Sequence, residues 1–195
     1  MENTFVQGDL KIVLASASPR RKEILTNLGL DFEIITSDVN ESLPFGTSAT
    51  DAVCMLSERK AEAVRKICGD DVLVISSDTL LEHEGKPLGK PKDEPDAKRI
   101  LLSLSGKRHF VHTGVSVLYK GKTLTAFDST AVYMKPFSEK EAIDYIKTGE
   151  CMDKAGAYAI QGIGAALIER TEGEFDTVVG FPSKLFLKML TEITK

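Results

Sequence analysis

The segment Ser16-Ala17-Ser18-Pro19-Arg20-Arg21 places two hydroxyls and two guanidinium groups where an apolar stretch, Lys11 to Ala15, gives way to a helical pattern. Backbone N–H groups at a helix start make an anion site. Two arginines there oppose the helix dipole, at a cost of roughly 0.3–1 kcal/mol each. A bound phosphate would turn that conflict into a clamp, because arginine pairs with phosphate oxygens in a bidentate way. On position alone, a capped surface helix with two solvated arginines reads equally well.

Asp78 follows the apolar run Val72-Leu73-Val74-Ile75 and the pair Ser76-Ser77. In open α/β sheets ligand sites lie at the carboxyl ends of such strands. A carboxylate there binds Mg²⁺ or acts as general base toward water. The plainer alternative is a turn aspartate accepting backbone N–H bonds. Glu41, in Ser37-Asp38-Val39-Asn40-Glu41, is a candidate second acidic metal partner, or simply a polar loop residue. Lys60 interrupts an otherwise apolar helical stripe, Val53, Leu56, Val64 and Ile67. Such a lysine usually snorkels to water, and otherwise reaches into a cleft beside the core.

Two loops complete the chemistry. Gly85-Lys86-Pro87-Leu88-Gly89-Lys90-Pro91-Lys92-Asp93 has an irregular backbone set by glycine and proline, from which Lys90 could reach a phosphate. It is not a Walker A motif, since the spacing and the final Lys-Ser/Thr are absent. Asp153 to Gly162 combines small residues with Tyr158 and Gln161, a composition suited to close approach of a flat base, and Gln161 offers both a donor and an acceptor. His109 and His112 differ by three, so in a strand they face opposite sides and make a poor metal pair. No Gly-x-Ser-x-Gly elbow is present, so a serine or cysteine nucleophile is unsupported.

The elements that must hold these residues are legible from pattern. Strands are expected at Lys11 to Ala15, Phe32 to Thr36 and Val72 to Ile75, with Leu80-Leu81 extended up to a turn at Glu84-Gly85. His109 to Leu118 and Thr123 to Met134 read as a hairpin, and Ala165 to Glu169 as a last strand. Helices are expected from Ser18-Pro19 to Gly29, from about Ser48 to Cys68, and from the Asp93 cap to Gly106. Two more run from the Ser138-Glu141 capping box to near Gly149, and from Pro182 to Ile193. The fold class is α/β, with a mixed sheet and flanking helices.

The chain has 195 residues, 42% hydrophobic and 28% charged, with no repeat or linker, and is read as a single domain over 1–195. A net charge of −4 argues against a nucleic-acid partner. Three dispersed cysteines fit a reducing compartment. Met1 to Leu10 lacks an apolar core of signal-peptide length, and no run reaches membrane-spanning length. The expectation is a soluble cytoplasmic protein with no membrane partner. A homodimer is compatible with it.

Taken together, Leu14-Ala15-Ser16-Ala17-Ser18-Pro19-Arg20-Arg21, Ser77-Asp78-Thr79, Gly89-Lys90-Pro91 with Asp93, and Lys154-Ala155-Gly156 with Gln161-Gly162 resemble, in order, the motifs of the Maf family of nucleotide pyrophosphatases. Glu41, Arg59-Lys60-Ala61, His109 with Thr113-Gly114, and Val179-Gly180 with Pro182 extend the resemblance over nearly the whole chain. It implies a fold like that of the inosine-triphosphatase-like enzymes, two lobes around a central cleft. It further implies hydrolysis of a nucleoside triphosphate to monophosphate and pyrophosphate, with a link to septum formation in bacteria. By that likeness Asp78 is the proton acceptor. Arg20, Thr79 and Gln161 hold positions tied to base specificity, with Thr79 and Gln161 similar to the dTTP/UTP branch. Phe181 departs from the family's usual leucine.

The mechanism expected is metal-assisted. Asp78, Lys60 and Lys90 are catalytic. Ser16, Ser18, Arg20, Arg21, Thr79 and Gln161 bind the nucleotide, and Asp78 with Glu41 holds Mg²⁺ or Mn²⁺. The competing expectation is a nucleotide-binding regulator of cell division that does not hydrolyse its ligand.

Overall fold

Residues 8–195 are described by the computed structural model. The expectation about Met1 to Leu10 therefore falls mostly outside the described residues. The strands are β1 (Ile12–Leu14), β2 (Glu33–Ile34), β3 (Leu73–His83), β4 (Lys86–Leu88), β5 (Arg108–Tyr119), β6 (Lys122–Met134) and β7 (Ile168–Glu172). The helices are α1 (Pro19–Asn27), α2 (Ala49–Cys68), α3 (Glu94–Leu104), α4 (Glu139–Ile146), α5 (Phe175–Val179) and α6 (Ser183–Ile193). Among the described residues the strands form one seven-stranded mixed sheet in the order β2-β1-β3-β5-β6-β7, with β4 paired to β3. β1 is parallel to β2 and β3, whereas β4 on β3 and β7 on β6 are antiparallel.

Local chemistry accounts for most of these elements. Ser48 caps α2 by accepting the Asp51 N–H at 3.1 Å, Asp93 caps α3 by accepting the Asp96 N–H at 2.8 Å, and Ser138 with Glu141 forms the capping box of α4. The turns Glu84-Gly85 and Lys120-Gly121 have positive φ at both positions, the geometry that twists a two-residue hairpin correctly. The first of these folds Lys86–Leu88 back on β3, so part of the stretch expected as a basic loop is strand.

Three expectations shift. Ile67 is 63% exposed. The buried stripe of α2 continues from Val64 to Cys68, four residues on, because the helix turns 100° per residue. The strand expected at Ala165 to Glu169 begins three residues later, at Ile168, after a 3₁₀ turn over Ile163–Leu167. Gly164 lies against the Ala159 backbone, where a Cβ would come within 2.5 Å of the carbonyl oxygen, and this close packing turns the start of the apolar run away from strand. Finally, Ser18 occupies the cap position of α1 without a side-chain cap bond; instead its N–H donates to Ser16 Oγ at 3.2 Å.

The chain groups into two compact units. The first comprises the described residues up to Asp78, with Thr113–Asp128 and Gly180–Lys195. Its core includes Val13, Ala15, Ala61, Val64, Val74 and Leu118. In it β5 packs so closely on α2 that a Cβ at Gly114 would sit 2.4 Å from the Val53 carbonyl oxygen. The second comprises Thr79–His112 and Ser129–Val179, around Leu81, Ile100, Leu101, Leu104, Val132, Met134 and Tyr158.

Candidate functional site

The strand expected at Val72 to Ile75 runs on without a break to His83, so Asp78 lies in mid-strand, and the part of β3 in the first unit is tied down by its own serines. Ser76 Oγ donates to the Ser57 carbonyl on α2 at 2.6 Å, and Ser77 Oγ, on the opposite face, donates to the Gly180 carbonyl at 2.8 Å. Asp78 therefore shares the face of Ser76 and meets α2 one turn beyond Ser57. There Lys60 Nζ donates to Asp78 Oδ1 at 2.5 Å and pairs with Glu41 Oε1 at 2.8 Å. Asp78 is only 8% exposed. Burial opposes the charge on Lys60, but Asp78 and then Glu41 outweigh it and raise the lysine pKa above its ordinary value.

Glu41 reaches this point because its loop is pinned. Arg59 Nη1 donates to the carbonyls of Asn40 at 3.0 Å and Ser42 at 2.7 Å, the two residues flanking Glu41. Consecutive residues of α2 thus have separate tasks: Arg59 holds the loop, and Lys60 receives its carboxylate. The sequence names the stretch Arg59-Lys60-Ala61 but carries no signal that Arg59 binds carbonyls.

Arg21 turns inward. Its Nε donates to the Gly180 carbonyl at 3.0 Å and its Nη1 to Ser16 Oγ at 3.1 Å. Burial pulls the guanidinium from 12.5 down to about 10, Asp78 working against that shift and Arg20 with it. The interaction with Asp78 places Ser16, Arg21, Glu41, Lys60 and Asp78 in one electrostatic neighbourhood of the first unit, with Arg20 and Ser18 partly exposed beside Ser16 and Arg21. The Gly180 carbonyl, shared by Ser77 and Arg21, escaped sequence reasoning because a backbone acceptor has no residue type to betray it. Phe181 is fully buried and packs on Phe186 with ring centroids 5.1 Å apart, so the departure from leucine lies in a core contact.

Thr79, Lys90 and Gln161 belong to the second unit. Thr79 follows Asp78 on β3, so its side chain points to the other face of the strand. Lys90 and Gln161 are exposed. The Gln161-Gly162 turn is anchored by Glu150, whose carboxylate accepts the N–H groups of Ile163 at 3.0 Å and Gly164 at 2.8 Å. His109 and His112 have separate partners, Tyr158 and Ser129, as their spacing of three requires.

Two carboxylate oxygens converging on one cationic atom are hard donors of the kind Mg²⁺ or Mn²⁺ accepts. Among the described residues no three His, Cys, Asp or Glu side chains group as a metal site. An ion that takes one or two carboxylates and completes its shell with phosphate oxygens and water, as Mg²⁺ does, would share these oxygens with the Lys60 ammonium.

A family model described as Maf-like protein matches residues 11–193. A dTTP/UTP pyrophosphatase of Thermoanaerobacter sp. (strain X514) is 47% identical over 182 residues, covering 91% of this chain and 94% of its own length. A dTTP/UTP pyrophosphatase of Bacillus thuringiensis subsp. konkukian (strain 97-27) is 41% identical over 182 residues, covering 93% and 95%. Among solved structures, the Staphylococcus aureus Ham1 protein aligns with 81% of this chain and 79% of its own at 18% identity and a TM-score of 0.48, too distant for any functional argument.

Proposed function

The chain belongs to the Maf-like protein family, and from that premise we propose that it is a nucleoside triphosphate pyrophosphatase acting on dTTP and UTP. Relatives at 41–47% identity carry that name over nearly their whole length. The observation that carries the reading is the Lys60 ammonium held between Asp78 and Glu41 at the middle of β3.

A water oxygen attacks the α-phosphorus while the bond from that phosphorus to the bridging oxygen of the β-phosphate breaks. Asp78 accepts the proton lost by the water, and pyrophosphate leaves with the bond's electron pair. Lys60 holds the Asp78 carboxylate aimed, by donating to its Oδ1 at 2.5 Å. Asp78 and Glu41 would hold a Mg²⁺ or Mn²⁺ ion, which when bound supplies positive charge against the phosphates and acidifies the attacking water. Ser16, Ser18, Arg20 and Arg21 surround the start of α1, where phosphate oxygens meet hydroxyls and guanidinium charge. Arg21 does so with two nitrogens already committed to the protein, as a rigid fork rather than a mobile one. To Lys90 we assign a phosphate contact, and to Thr79 and Gln161 contacts with the base, from the positions they hold in the family pattern.

The three cysteines are free, in keeping with a cytoplasmic setting where nucleotides are the substrate. The deciding experiment incubates the protein with UTP and Mg²⁺ and measures UMP and pyrophosphate in equal amounts, with loss of both on chelation. Binding of UTP without turnover would leave a nucleotide-binding regulator in its place, and release of orthophosphate with UDP would move the cut to the wrong bond.

A further inference from the structure

The second unit contains a carboxylate that the mechanism does not use, built into the backbone beside Gln161. Glu150 is half-buried. Its Oε1 accepts the Ile163 N–H at 3.0 Å, and its Oε2 accepts the Gly164 N–H at 2.8 Å and the Tyr145 hydroxyl at 2.8 Å. The buried Tyr145 oxygen in turn accepts the Ala159 N–H at 3.1 Å. One carboxylate and one phenol thus bind the backbone at 159, 163 and 164, on both sides of Gln161. Gly162 completes the clamp. Its φ is +88°, and a Cβ there would lie 2.2 Å from Glu150 Oε1, so the carboxylate presses against the peptide next to Gln161.

A surface loop held only by solvent would let an exposed amide sample many positions, and an amide that samples many positions discriminates poorly between bases. We infer that Glu150, with Tyr145, is a specificity-positioning residue: it fixes the 159–164 backbone so that the Gln161 amide meets the edge of a uracil or thymine base in one orientation. Neither residue touches the nucleotide in this arrangement; both act through Gln161. The inference rests on the proposed role of Gln161 as the base reader.

The test compares UTP with CTP, which share phosphates and ribose and differ only at the base edge. Steady-state kcat and KM are measured for the native protein, Gln161→Ala, Glu150→Gln, Tyr145→Phe and the double variant Glu150→Gln/Gln161→Ala. Glu150→Gln removes one acceptor oxygen at nearly constant volume and is expected to lower the UTP-over-CTP ratio of kcat/KM by roughly tenfold, the effect of one misplaced hydrogen bond. The loss appears in KM for UTP, with kcat at saturation retained. Tyr145→Phe, which keeps the carboxylate, is expected to give a smaller loss in the same direction and serves if Glu150→Gln does not fold. Because Glu150 acts through Gln161, the double variant should discriminate no worse than Gln161→Ala alone.

If Gln161→Ala loses discrimination while Glu150→Gln and Tyr145→Phe keep it, the positioning role is wrong and the base reader stands. If Gln161→Ala keeps discrimination, the base-reading role falls and the inference falls with it. Additive losses in the double variant would show Glu150 acting independently of Gln161 and would also overturn it.

Discussion

Lys60 and Asp78, eighteen residues apart in the chain, meet at 2.5 Å through an ammonium and a carboxylate whose side chains are 21% and 12% exposed. The ammonium also reaches Glu41, so one cation holds two acids from separate segments. An unpaired carboxylate as buried as Asp78 would be costly. The lysine that breaks the apolar stripe of α2 is the residue that makes that burial tolerable.

Asp78→Asn keeps the shape and removes the proton acceptor. Turnover of UTP should fall by about 10²-fold or more, with KM changed little. Pyrophosphate release at saturating UTP measures it, and near-native turnover would exclude Asp78 as the base.

Lys60→Met leaves Asp78 and Glu41 facing one another without their cation. Unfolding free energy at neutral pH should drop by about 1–3 kcal/mol. If the two acids bind a divalent ion, part of that loss returns on titration with Mg²⁺, since a ligand of the native state stabilises it. Melting curves with and without Mg²⁺ give the answer; recovery absent in the variant would count against the acid pair as a metal site.

Arg59→Ala frees the backbone of Asn40 and Ser42 while sparing every side chain assigned to the reaction. The Mg²⁺ concentration for half-maximal activity should rise by roughly tenfold, a second-layer effect on a metal-holding residue. At saturating Mg²⁺ most of the turnover should return. An unchanged metal dependence would mean that the Glu41 loop needs no pin.

Lys90 is exposed, so Lys90→Ala should leave the melting temperature within about 1–2 °C of native, as surface substitutions do. Catalysis should still weaken, because a charge against the phosphates is lost. A collapse in melting temperature would reassign Lys90 to the scaffold.

His109 supplies a pH signature of the second unit. It is 1% exposed, its Nε2 is 2.7 Å from the Tyr158 hydroxyl, and its Nδ1 has no hydrogen-bond partner among the described residues. Burial, aided by His83, pulls its pKa from 6.5 to about 3. The unfolded chain therefore takes up a proton below pH 6.5 that the native ring refuses. The stability contributed by the neutral ring is complete above pH 6.5 and declines as pH falls toward 3, by roughly 1.4 kcal/mol per pH unit. Urea unfolding at pH 7 and pH 5 should show this decline in the native protein and a shallower one in His109→Gln. Equal declines would place the titration elsewhere.

Local sequence alone sets the elements and the residue types of the site. Caps at Ser48, Asp93 and Ser138, the Lys120-Gly121 turn and the apolar runs are local signals, and local physics enforces them. The break in the α2 stripe at Lys60 and the acid after Ile75-Ser76-Ser77 were visible because each violates a pattern the rest of its element obeys. Tertiary structure decided the partnerships: that Lys60 spans Asp78 and Glu41, that Arg59 pins the loop, and that the Gly180 carbonyl receives Ser77 and Arg21. It also moved β7 by three residues, because Gly164 was claimed by Ala159 and Tyr145. Most of these contacts join separate segments of the chain, many through backbone carbonyls that every residue carries, and no side-chain type announces which carbonyl will be used.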